Sequence, residues 1–209
     1  EYDTIYGSNL INPEVAIISP TAYSFVRGAM PIIGNARGGN FAFYRLVFGS
    51  GMSPTEWAQI GPDHNNQVEN NVLELLDTTG LEDGLYTLQL QIVGHDQNVR
   101  LATIQLMVDN TPPKVELTYP LEGAEYEYKA DEWANINAEV HDIYAIGRVE
   151  FYHNDEETPF KVRQVAPFNI NWPLGAVGAH SFYVKVYDAA GNETQTEPVT
   201  IHVVPRATP

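Results

Sequence analysis

The chain has 209 residues, 44% of them apolar and 11% aromatic, enough to bury a core and of a length suited to one large or two ordinary domains. Its 27 acidic residues against 11 basic ones leave a formal charge of −16, which repels nucleic-acid backbones and anionic lipid surfaces and argues against both as partners. With no cysteine, disulfides, thiolate zinc sites and cysteine catalysis are excluded, while the redox compartment stays open.

Taken in chain order, residues 1–14 read as a lead-in with neither a basic start nor an apolar run, and no segment approaches the roughly 20 apolar residues a bilayer crossing needs. The expectation is an excised fragment or mature product, with any export signal or anchor upstream of Glu1. "VAIISP" at 15–20 predicts a short strand ending in proline. Further on, Tyr86, Leu88, Leu90 and Ile92 alternate with Thr87, Gln89 and Gln91, and Ile104, Leu106 and Val108 repeat that two-residue period, as strands do when one face is buried. In "VDNTPPKV", Pro112 and Pro113 remove two backbone donors, so a new strand has to begin at Lys114 or Val115.

The second half retraces the first. "VELTYP" at 115–120 echoes "VAIISP", and "VGAHSFYVKVYD" from Val177 echoes "DGLYTLQLQIVG" from Asp83, giving a repeat of about 95 residues. Ala134, Ile136, Ala138 and Val140 define one inward face, Val149 and Phe151 another, Phe168, Ile170 and Trp172 a third, and Phe182, Val184 and Val186 a fourth. No helical stripe competes with them. The fold class expected is all-β, two tandem immunoglobulin-like β-sandwiches, at 15–110 and 115–205, joined by a Pro-rich linker at 111–114 and followed by a tail at 206–209.

With "RVEFYHND", "APFNINW", "GAHSFYVKVYDAAGNE" and "VTIHVV", the second half resembles the bacterial Ig-like domains found in tandem on exported and surface proteins. The first half, with "NFAFYRLVFGSGMSPTEWAQIG", "VLELLDTTGLEDGLYTLQL" and "VDNTPP", is similar to a module at the C-terminal ends of class A penicillin-binding proteins, the bifunctional peptidoglycan synthases. That pattern often has tryptophan before "DT", where this chain has Leu76. The resemblance implies an extracytoplasmic module of the cell envelope, anchored upstream. Its partners would be the upstream domains of the same polypeptide, together with cell-wall glycan or a surface protein.

The synthase chemistry itself is missing from this sequence. Transpeptidation needs a serine one helical turn before a lysine, with SxN and KTG elements, and none of these is present. The six histidines show no HxH or HExxH spacing, and the carboxylate pairs Glu82–Asp83 and Glu156–Glu157 fall in turn-like stretches that suit a solvated face. The expectation is a non-catalytic spacer or interaction module without a cofactor, and its rival is a carbohydrate- or peptidoglycan-binding module.

For that rival, Trp57 in "GMSPTEWAQIGPDHNNQ" is the aromatic residue best placed on a loop to stack on a sugar. Trp133, placed at a sheet edge or at the domain junction, is the second candidate for binding, and Trp172 alternates into the core. Calcium is the metal to weigh. Asp109 and Asn110 before the linker, and Asp188 and Asn192 around "DAAGN", carry suitable oxygens, although Asx side chains more commonly cap their own turns. Tyr86 in "EDGLY" resembles the tyrosine corner of Ig-like folds, and His180 holds the equivalent place in the second copy.

Overall fold

The computed structural model describes residues 14–129 and 132–206, so most of the lead-in and of the C-terminal tail lies outside the described residues. The chain divides into two compact units, Glu1–Asn110 and Thr111–Pro209. Both are built from strands, and no helix occurs among the described residues.

The first unit contains β1 (Val15–Ser19), β2 (Phe25–Val26), β3 (Ala29–Ala36), β4 (Phe41–Ser50), β5 (Ala58–His64), β6 (Val68–Asp77), β7 (Gly84–Gly94) and β8 (Val99–Val108). One sheet has the order β1-β3-β6 and the other β2-β8-β7-β4-β5. Leu88, Leu90 and Ile92 of β7 and Leu106 and Val108 of β8 are buried, meeting Leu46 of β4 and Ile32 and Leu73 from the opposite sheet. Each such side chain contributes on the order of 1.5–3 kcal/mol by leaving water. Tyr44 joins the two sheets through the core, its buried hydroxyl donating to the Leu73 carbonyl at 2.8 Å. At the outer edge, three residues of β5 lie between His64 and Ile60 where β4 has only Arg45 between Tyr44 and Leu46. This bulge carries Gly61 at φ 65° and Pro62, which blunts the free edge against further pairing.

The second unit contains β9 (Lys114–Tyr119), β10 (Glu125–Glu127), β11 (Trp133–His141), β12 (Ile146–His153), β13 (Lys161–Arg163), β14 (Asn169–Pro173), β15 (Gly178–Asp188), β16 (Glu193–Gln195) and β17 (Val199–Val204). A sheet ordered β14-β11-β9 faces one ordered β10-β17-β15-β12-β13, with β16 paired to β15. Ala134, Ile136 and Ala138 from the first sheet meet Val149, Phe151, Phe182, Val184 and Val186 from the second. The two-residue period of the sequence is thus the period of burial. β9 starts at Lys114, where the two prolines leave the backbone free to enter a ladder again.

Candidate functional site

The two corner residues occupy matching positions. Tyr86 Oη donates to the Glu82 carbonyl at 3.1 Å, and His180 Nε2 lies 3.0 Å from the Ala176 carbonyl, each partner four residues upstream. His180 does more than Tyr86, because its Nδ1 is 3.0 Å from Nε2 of His153. If His180 Nε2–H donates to Ala176, Nδ1 has to accept, and the proton between the rings belongs to His153. His153 Nδ1 then faces Glu156 at 3.5 Å. Trp172, Phe160 and Phe182 enclose the pair, with the Trp172 and His180 ring centroids 4.7 Å apart. The sequence carried a signal for the side His153 faces, since it continues the inward series Val149, Phe151 by two, but not for its partner on β15.

Trp57 stands at the end of the loop joining β4 to β5. Gly51, at φ 81°, starts the turn and donates to the Leu85 carbonyl, while Thr87 Oγ1 donates to the carbonyls of Gly51 and Met52 at 2.7 and 3.2 Å. The loop lies so close over β4 that a Cβ on Gly49 would stand 2.5 Å from the Glu56 carbonyl and from Pro54. What results is an open cleft of about 380 Å³ lined by Phe48, Ser50, Thr55, Glu56 and Trp57, with Trp57 41% exposed. An indole beside a carboxylate and two hydroxyls offers stacking and hydrogen bonding together. Trp133, 58% exposed, opens β11 opposite Pro173 and is part of neither this cleft nor the histidine cluster.

Hydrogen bonds within each unit occupy the side-chain oxygens of Asn110 and Asp188, through long-range ties at Asn110 and a local turn at Asp188. Asn110 Oδ1 receives the backbone N–H of Gly28 and the hydroxyl of Thr78, and its amide donates to the Thr78 carbonyl at 2.8 Å. Asp109 is buried, and its backbone N–H donates to the Val26 carbonyl. Asp188, 4% exposed, receives the Asn192 backbone N–H on Oδ1 and the Asn192 amide on Oδ2, which closes the "DAAGN" turn. Asp142, which sequence reasoning passed over, brings a carboxylate oxygen within 4.8 Å of one from Asp188.

The outer face of β12 and β15 carries a polar and aromatic ladder in register, with Arg148 opposite Tyr187, Glu150 opposite Lys185 and Tyr152 opposite Tyr183. The Arg148 guanidinium lies 3.7 Å above the Tyr187 ring, and the two facing tyrosines stack at 4.7 Å. Burial opposes ionisation of Glu150, but hydrogen bonds from Arg148 and Tyr152 outweigh it and hold the carboxyl below its ordinary range. Burial, reinforced by the bond to Glu150, pushes the Tyr152 phenol well above its usual value. These aromatic faces are spent on one another, which leaves Trp57 the better placed for a ligand.

No curated protein matches the sequence. Among solved structures, the chain is similar to fibronectin(III)-like modules of Clostridium thermocellum CbhA, at TM-score 0.53 and 21% identity over 91% of this chain and 94% of that one. Murine CEACAM1b aligns at TM-score 0.46 and 11% identity, over 88% and 96%. No helix of the described residues is long and apolar enough to cross a membrane. Residues 113–186 match the family model described as Bacterial Ig domain, and with the paired sheets of both units this makes the chain an all-β protein of tandem immunoglobulin-like sandwiches.

Proposed function

We propose that the chain is a non-catalytic, extracytoplasmic spacer and interaction module of a bacterial cell-envelope protein, appended to a peptidoglycan glycosyltransferase and transpeptidase. The Bacterial Ig domain match over 113–186 carries the reading, because domains of this type usually serve as non-catalytic parts of larger exported proteins. The resemblance of the first half to the C-terminal module of class A penicillin-binding proteins supports the choice of parent. Its partners are then the upstream domains of the same polypeptide, and it works without a catalytic cofactor, calcium being the one ion weighed for it, in a structural role.

The Trp57 cleft supports a second reading, a peptidoglycan-binding module. With a charge of −16, affinity for wall material has to come from stacking and hydrogen bonding to neutral sugar, not from ion pairing. A pull-down on purified peptidoglycan across a salt series separates the two readings. No retention at any salt supports the spacer. Retention that persists at high salt and falls in Trp57→Ala supports the binder, and stable acylation of the chain by a fluorescent penicillin overturns both.

A further inference from the structure

The second unit has one lateral opening whose chemistry runs against the rest of the molecule. β13 is the terminal strand of its sheet and pairs only with β12, while β14 is the terminal strand of the facing sheet and pairs only with β11. Between the two edges lies a cleft of about 370 Å³ lined by Phe160, Lys161, Arg163, Ile170, Asn171 and Pro173. Lys161 pairs with Phe151 and Arg163 with Val149, and both of those partners face the core. The two cations therefore hang on the inward side of the edge strand, at the mouth of the sandwich.

In a chain of charge −16, Lys161 and Arg163 form a local positive patch, two cations on the same side of one short edge strand. Lys129, Arg148 and Lys185 of the same unit are each bound to a glutamate, at 2.6, 2.6 and 3.6 Å. Among the described residues, Lys161 and Arg163 have no carboxylate within ion-pairing distance. An inward-pointing charge on an edge strand deters pairing with an ordinary apolar strand. The same charge selects for a strand carrying the opposite one. β5, the free edge of the first unit, is closed by a bulge and Pro62, whereas β13 keeps a regular register along its whole length.

We propose that the β13–β14 cleft of the second unit is a docking site for an extended acidic peptide segment of a partner protein, which adds to the β13 edge and sets carboxylates at alternate positions against Lys161 and Arg163. The two cations are spaced by two strand residues, about 6.8 Å, which is the spacing of same-side side chains in any extended peptide. Backbone pairing supplies affinity and the two cations supply selection. Phe160 and Ile170 give the floor of the cleft apolar contact. The inference is independent of the wall-spacer reading and of the Trp57 cleft.

The test uses the whole 209-residue chain and a fluorescein-labelled heptapeptide in which glutamate alternates with threonine. Anisotropy should show saturable binding in the range of about 10–500 μM, weakening as salt is raised. The double variant Lys161→Glu, Arg163→Glu should bind at least about tenfold more weakly, and a peptide with lysine in place of glutamate should not bind. Hydrogen exchange with the peptide bound should slow at the backbone amides of residues 161–163, a readout that stands even if the variant folds poorly. Absence of binding up to about 2 mM overturns the proposal, as does equal binding by the variant. Binding of an oligogalacturonate of matched charge, without amide protection, also overturns it by showing a site for anionic sugar.

Discussion

Replacing His180 with phenylalanine removes a side chain that is 9% exposed and holds two hydrogen bonds, one to the Ala176 carbonyl and one to His153, both at 3.0 Å. The phenyl ring keeps the aromatic contact with Trp172 and Phe182 but offers no nitrogen. A typical intramolecular hydrogen bond nets about 0.5–1.5 kcal/mol, so the variant should lose about 1–3 kcal/mol, with the stranded Ala176 carbonyl and His153 N–H holding the value towards the upper end. Tyr86→Phe provides the control: its single bond to Glu82 is 3.1 Å long and solvent-exposed, and its loss should cost about 0.5–1 kcal/mol. Urea unfolding followed by tryptophan fluorescence measures both, because Trp172 lies against His180 and reports the second unit, whereas Trp57 reports the first. The two units have to be fitted as separate transitions if the curve is biphasic. A His180→Phe protein as stable as the parent, or one that loses less than Tyr86→Phe, would refute the view that the imidazole pair is a structural tie.

Glu150 has its carboxyl held below the ordinary range, so its contribution is present above the unfolded value and is lost as pH falls through the lower folded one; Glu150→Gln should flatten that acid limb in a pH series of melting temperatures. Tyr44→Phe should cost about 1–2 kcal/mol by leaving the buried Leu73 carbonyl without its donor, measurable by the same urea titration, with the ring stack on His64 preserved. Asp142 and Asp188 hold carboxylates within 4.8 Å of each other, so calcium should raise the melting temperature over that in EDTA, and Asp142→Asn should shrink the difference. An identical melting temperature in both solutions would leave the Asx groups as turn caps alone.

The period-two runs in β7, β8, β11, β12 and β15 were legible because alternation is a local property: each residue's face follows from its neighbours, and burial of Leu90, Ile136 and Val184 needs no knowledge of what lies opposite. The copy-to-copy echo paired Tyr86 with His180 by comparing two distant segments, and each of them lies against a carbonyl four residues upstream. β3 and β6 were obscured, because Pro31 and Gly34 interrupt the first and bulges shift their pairing, so no clean period survives in the sequence. The histidine pair required β12 and β15 to lie side by side, bringing residues 27 apart into contact, and no local pattern encodes that neighbour. Lys161 and Arg163 show the limit most plainly. In the sequence they are two exposed cations in an acidic chain, and only the order of strands makes them the lining of an open edge, since an edge is defined by the strand that is not there.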